Sequence, residues 1–145
     1  LIDHARAAME AIDAWLARTD ASIPSRAGEI VGLGPGLTPS GDDFLGGVMI
    51  GLHATGNRRA AAALWRWLEP QAAERTGAIS QAHLAAAAHG EAHEALHACV
   101  ERLFGAPRSA AGARWKILLS RLDAVGHCSG RDGLAGVVAV ARQRC

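Results

Sequence analysis

Ser40-Gly41-Asp42-Asp43-Phe44-Leu45-Gly46-Gly47 and Ser129-Gly130-Arg131-Asp132-Gly133-Leu134-Ala135-Gly136 share the spelling S-G-x-D-x-L-x-G at a separation of 129 − 40 = 89 residues. A serine followed three residues later by an acid suits the first turn of a helix, where backbone N–H groups lack partners. The repeat therefore predicts two similar loop-to-helix turns that share one site. The first is preceded by Gly32-Leu33-Gly34-Pro35-Gly36-Leu37-Thr38-Pro39. Capping alone requires neither such a loop nor its partial repetition, so a ligand site is the favoured reading.

With 145 residues the chain is long enough for one domain with a core and too short for two. Half of the residues are hydrophobic, and alanine dominates that half, which favours closely packed helices over a sheet. The expectation is an all-α fold: one compact domain over 1–145, of about six or seven helices, with the Gly/Pro-rich loop opening a central one. A net charge of +1 provides no field to gather nucleic acid or an anionic membrane, and no stretch approaches the roughly 20 apolar residues of a membrane span. Small-molecule and protein partners are expected. Cys99, Cys128 and Cys145 are too few for a disulfide framework, which suits a reducing cytoplasmic setting. The chain opens on Leu1 and enters a helical pattern at once, as a piece of a longer protein would.

Ala5, Ala8, Met9, Ile12, Trp15 and Leu16 recur at helical spacing and predict a first helix over Ile2 to Leu16 with those residues on its buried face. Ile30 to Leu33 reads as a short, buried, extended piece. Phe44, Leu45, Val48, Met49 and Leu52 stripe a second helix whose Gly46, Gly47 and Gly51 imply close backbone contact. Ala60 to Leu68 begins a third helix that Pro70 kinks or restarts. Ser80 to Phe104 is one long helix or two, with Gly90 its weak point and Gly105 and Pro107 its stop. Trp115, Leu118, Leu119 and Leu122 mark another helix, and Leu134 to Ala141 the last. The four tryptophans, Trp15, Trp65, Trp67 and Trp115, read as helix-packing residues.

A helix N-terminus attracts phosphate or carboxylate, whereas Asp42 beside Asp43 repels it. Either one carboxylate is engaged by backbone donors, leaving the amides of Gly34, Gly36 and Gly41 and the hydroxyls of Thr38 and Ser40 for an anion, or Mg²⁺ at Asp42 and Asp43 bridges to the ligand. No cofactor is certain, and Mg²⁺ is the one these residues suggest. Ser129, Gly130 and Arg131 extend the binding set from the second turn. Arg131 stands where the first turn has Asp42, so a zwitterionic or amide-plus-carboxylate substrate would fit between them. Asp42, Asp43, Asp132 and His127 are the catalytic candidates, His127 as a proton carrier near neutral pH.

At these residues the chain resembles a bacterial family, long without an assigned function, that is linked to a subunit of oxamate carbamoyltransferase in anaerobic allantoin breakdown. The likeness lies in GLGPGLTPSGDDFLGG, in Thr76 and Ile79-Ser80, and in Gly126-His127 with Ser129-Gly130 and Asp132, spanning Ile30 to Gly136. It implies that the chain is the C-terminal part of a longer family architecture. It also implies phosphate-dependent cleavage of N-carbamoyl-oxamate to oxamate and carbamoyl phosphate, performed with other subunits. Such chemistry requires donors that stabilise negative charge, a role for the glycine amides and Arg131.

Three other readings compete. Paired aspartates at helix starts are similar to a Mg²⁺-dependent helical hydrolase of the ADP-ribosylglycohydrolase kind, and a non-catalytic assembly module would need no chemistry at all. His93-Glu94-Ala95-Leu96-His97 spells H-E-x-x-H, a zinc motif when carried on a helix, but no glutamate after Glu101 is available as a distant third ligand. His89, His93 and His97 would share one face only if a helix ran through Gly90. Neither Ser40 nor Ser129 sits in G-x-S-x-G, and the Gly-rich loop lacks the P-loop lysine.

Overall fold

A computed structural model of the chain describes residues 2–105, 111–126 and 128–145. Among these the protein is all-helical: α1 (Ile2–Leu16), a 3₁₀ helix (Ser25–Ile30), α2 (Ser40–Ala54), α3 (Arg58–Arg75), α4 (Ala78–Ala88), α5 (Glu94–Gly105), α6 (Ala111–Asp123) and α7 (Ser129–Arg142). No helix among the described residues is long and apolar enough to cross a membrane.

The centre of the fold is α2, which buries residues around nearly its whole circumference, from Gly41 and Asp42 through Phe44 and Leu45 to Gly47–Leu52. A helix with so little polar face must be surrounded, and α3, α4, α5 and α7 all pack on it. The closest of these neighbours is α7. A methyl group on Gly47 would overlap the Gly133 carbonyl, and one on Gly136 would overlap the Phe44 carbonyl. Shifted by 89, Phe44 corresponds to Gly133 and Gly47 to Gly136, so the two contacts are one contact repeated about a local two-fold axis. Further along both helices Gly51 meets Val137 and Val140. The helices therefore run in the same direction and present their N-termini at the same end. The internal repeat is thus a packing symmetry, built on glycines that let two backbones touch.

Several boundaries depart from expectation for identifiable reasons. Both α2 and α4 close in Schellman turns: Asn57 N–H donates to the Leu52 carbonyl past Gly56 (φ 77°), and Glu91 N–H to the Ala86 carbonyl past Gly90 (φ 82°). Gly90 thus divides the Ser80–Phe104 stretch into α4 and α5, and the stripe of His89, His93 and His97 is broken. By contrast, α3 continues through Pro70, which lies on its exposed side, and does not restart. Ile30 to Leu33 is a turn rather than an extended piece, since Ile30 ends the 3₁₀ helix and Leu33 N–H returns to the Ile30 carbonyl across Gly32 (φ 72°). Met9 is 39 % exposed, so the buried face of α1 is Ala8, Ile12, Trp15 and Leu16. Pro107 lies outside the described residues; α5 ends at Gly105.

Candidate functional site

The two turns are seated alike. Gly41 presses on the Ile30 carbonyl, and Gly130 lies against the Leu122 carbonyl closely enough that a methyl on either would collide. Each seat is followed by the same reverse turn: Leu33 N–H donates to Ile30 O and Val125 N–H to Leu122 O, at 3.0 and 2.9 Å. A positive-φ glycine then follows in each, Gly34 (φ 125°) and Gly126 (φ 67°). From seat to glycine the first connection takes 41 − 30 = 11 residues and the second 130 − 122 = 8. The three extra residues belong to the Gly/Pro loop, whose ends are joined by Gly41 N–H donating to Leu33 O at 3.0 Å.

Capping is not what the serines do. Pro39 and Cys128 occupy the N-cap positions without a side-chain cap bond, and Ser40 and Ser129 are the first helical residues. The Ser129 hydroxyl instead pairs with that of Thr38 at 2.7 Å, joining the second turn to the loop of the first. This bond brings the two turns to one place.

The adjacent aspartates have opposite fates. Asp42 is 1 % exposed; one oxygen accepts from Gly32 N–H at 2.7 Å, the other from the Thr76 and Ser80 hydroxyls, each at 2.6 Å. It ties the Gly/Pro loop and the start of α4 to α2, and explains the Thr76 and Ser80 element of the sequence. Asp43, one helical step on, points to the Thr38–Ser129 pair and the cavity. Its pKa is raised, chiefly by burial; the Ser129 and Thr38 hydroxyls oppose the rise, Asp132 adds to it and His83 opposes it. One oxygen each of Asp43 and Asp132 is buried without a hydrogen-bond partner.

A cavity of about 630 Å³ opens from this point between α2, α4, α5 and the α6–α7 turn. Thr38, Asp43, Ser129 and His83 give it a polar end, while Ile50, Leu84, Leu96, Leu122 and Val125 form its apolar walls. The volume falls within the range of about 300–1,000 Å³ usual for ligand pockets.

A family described as oxamate carbamoyltransferase subunit AllH matches residues 30–141. The chain belongs to that family. The match begins at Ile30, the seat of Gly41, and ends within α7, so it encloses both turns and the helix pair between them. No curated protein and no solved structure matches the chain.

Within the AllH-family stretch, the candidate residues divide by position. Thr38, Asp43 and Ser129 line the cavity together, with Gly130 buried beside them. Gly34 and Gly36 lie on the exposed loop, Ser40 is partly buried at the first position of α2, and the Gly41 amide is engaged by Leu33. Arg131 lies outside the cavity lining, bound to Asp123 through two hydrogen bonds of 2.5 and 2.8 Å on the exposed side of the turn. His127 lies outside the described residues. The H-E-x-x-H residues do not converge: exposed His93 precedes α5, Glu94 pairs with Arg121 at 3.1 Å, and His97 accepts Ala92 N–H at 3.2 Å. Among the described residues no three His, Cys, Asp or Glu side chains are placed to hold a metal. His83, which sequence reasoning did not single out, lines the cavity from the exposed side of α4, three residues after the buried Ser80.

Proposed function

We propose that the chain is an oxamate carbamoyltransferase subunit whose cavity, at the Thr38–Asp43–Ser129 end, binds the carbamoyl group and the nitrogen it is transferred to or from. The observation that carries this reading is the Asp43 carboxyl, half-buried, with one oxygen free of partners and two hydroxyls beside it at the mouth of paired helices.

Cleavage of N-carbamoyl-oxamate by phosphate breaks the bond between the carbamoyl carbon and the oxamate nitrogen and forms a carbon–oxygen bond to phosphate. The departing nitrogen must gain a proton, and in the reverse direction lose one. An aspartate whose pKa burial has raised retains a proton closer to neutral pH than an exposed one, so Asp43 suits the exchange at that nitrogen. Thr38 and Ser129 orient the carbamoyl amide by hydrogen bonds, and Asp42 keeps Asp43 in place. Family membership supports the reaction class.

The test is Asp43→Asn in the enzyme assembled with its partner subunits, assayed for carbamoyl phosphate formed from N-carbamoyl-oxamate and phosphate. General acid–base groups contribute about 10²–10⁴-fold, and a loss in that range is expected, together with loss of the fall in rate that ionisation of Asp43 causes on the alkaline side of the pH–rate profile. Full activity in Asp43→Asn would remove the assignment.

A further inference from the structure

The site just proposed has the wrong charge for its ligands. Oxamate, N-carbamoyl-oxamate and phosphate are all anions, yet the ionisable groups among the described lining residues are Asp42, Asp43, Glu91, His83 and His93, with no lysine or arginine. Three basic side chains on nearby elements are turned to other partners: Arg75 donates to the Gly28 carbonyl, Arg121 binds Glu94 and Arg131 binds Asp123. Three amides at the start of α2 are also engaged, Gly41 N–H by Leu33 O and those of Asp42 and Asp43 by Pro39 O. A cavity with apolar walls strengthens like-charge repulsion, because little water screens it. Among the described residues, then, no lysine or arginine lines the cavity.

Asp43 and the nearby Asp132 are joined by no third acid, histidine or cysteine placed to hold a metal among the described residues. Around the mouth, Leu37 is 72 % exposed and Ile79 47 % exposed, and both line the cavity. Exposed apolar side chains around an acidic interior are complementary to an apolar segment carrying a basic head group. Resting on the proposed function, we infer that a basic segment of a partner subunit covers Leu37 and Ile79 and inserts a lysine or arginine beside Asp43, adding positive charge to the anion site. Arginine would suit both anions, since its planar fork matches carboxylate and phosphate.

The experiment has two arms. Calorimetric titration of the isolated chain with oxamate, and separately with inorganic phosphate, should show no saturable binding, with or without Mg²⁺. In the assembled enzyme, a photoreactive residue introduced as Leu37→p-benzoylphenylalanine or Ile79→p-benzoylphenylalanine should cross-link to a partner peptide containing lysine or arginine. Leu37→Asp, on the exposed loop, should weaken subunit association by about tenfold or more and leave the thermal midpoint of the isolated chain unchanged. Saturable binding of either anion by the isolated chain, Mg²⁺-dependent binding included, overturns the inference, as do cross-links only to peptides without a basic residue, absence of cross-links, or undiminished association in Leu37→Asp. None of those results touches the assignment of Asp43, which falls only if Asp43→Asn keeps full activity in the assembled enzyme.

Discussion

The turn at Ser40 and the turn at Ser129 share one backbone plan and differ in the length of the loop before them and in the side chain that precedes the shared aspartate. Both press a glycine onto a carbonyl, both follow a reverse turn and a left-handed glycine, and both start one of two helices that touch through glycines. At the variable position the first turn has Asp42, buried and holding three donors from three places in the chain. The second has Arg131, on the surface and tied to Asp123 only eight residues earlier. The helix pair thus repeats, but its surroundings do not: α3 and α4 converge on the first turn, and the longer Gly/Pro loop has to be anchored there. Symmetry in the axis glycines places Asp43 and Asp132 near each other, while the residue before each aspartate, Asp42 or Arg131, has an unlike partner set.

The largest effect should come from the shared part. Gly47→Ala and Gly136→Ala each set a methyl against a backbone carbonyl that cannot rotate away, so each should destabilise by about 3 kcal/mol or more, the upper end for overpacking. Equilibrium unfolding in urea measures this, and the two-fold relation requires the two losses to be similar. A harmless Gly136→Ala would break the comparison at its base.

The divergent position comes next. Asp42→Asn keeps the shape but turns an amide donor on hydroxyl and N–H donors in a buried place, and should cost about 2–3 kcal/mol in the same measurement. Arg131→Gln removes only a surface ion pair and should leave the unfolding midpoint unchanged. Equal effects from the two would mean that the turns are alike after all.

Asp43 sharpens the contrast through pH. Its pKa is raised above the ordinary 3.8, so the folded state holds the proton more tightly than the unfolded chain does. Below the unfolded value both states are protonated and nothing is lost; as pH rises through the folded pKa, ionisation inside the fold destabilises it. Asp43→Asn should therefore raise the thermal midpoint at neutral pH, with the gain vanishing as pH falls towards 3.8. A gain that is independent of pH would show that ionisation of Asp43 is not its source.

The helical class, α1, α2 and α7 were legible in the sequence because one-sided apolar spacing and the S-G-x-D turns report local chain geometry. Gly47 and Gly51 correctly announced the close approach of another helix, which the repeat identifies as α7, whereas a methyl on Gly46 would meet only the Ala87 and Leu84 side chains at ordinary contact distance. The division of the Ser80–Phe104 stretch depended on Gly90 taking a positive φ, a choice that composition leaves open. Least legible were the separate fates of Asp42 and Asp43. Consecutive residues on a helix point about 100° apart, and what each meets is set for Asp42 by Thr76 and Ser80, 34 and 38 residues along the chain, and for Asp43 by Thr38 and Ser129, which pair across 91 residues. Arg131 looked like a counterpart of Asp42 within a site, but its neighbour Asp123 holds it on the outside.

The smallest expected effect separates the two serines. If both capped their helices, Ser40→Ala and Ser129→Ala would each cost about 1 kcal/mol. Neither serine occupies a cap position, and only Ser129 has a hydroxyl partner across the turns, Thr38 at 2.7 Å. Ser129→Ala should therefore lose about 1 kcal/mol, the usual net worth of one hydrogen bond, while Ser40→Ala stays within about 0.5 kcal/mol of the unaltered chain. Adding Thr38→Val to Ser129→Ala should cost less than the sum of the two single changes, because the bond can be lost only once. Full additivity in that cycle would mean that the hydroxyls do not bond in solution, and the join between the two turns would then rest on the glycines of α2 and α7 alone.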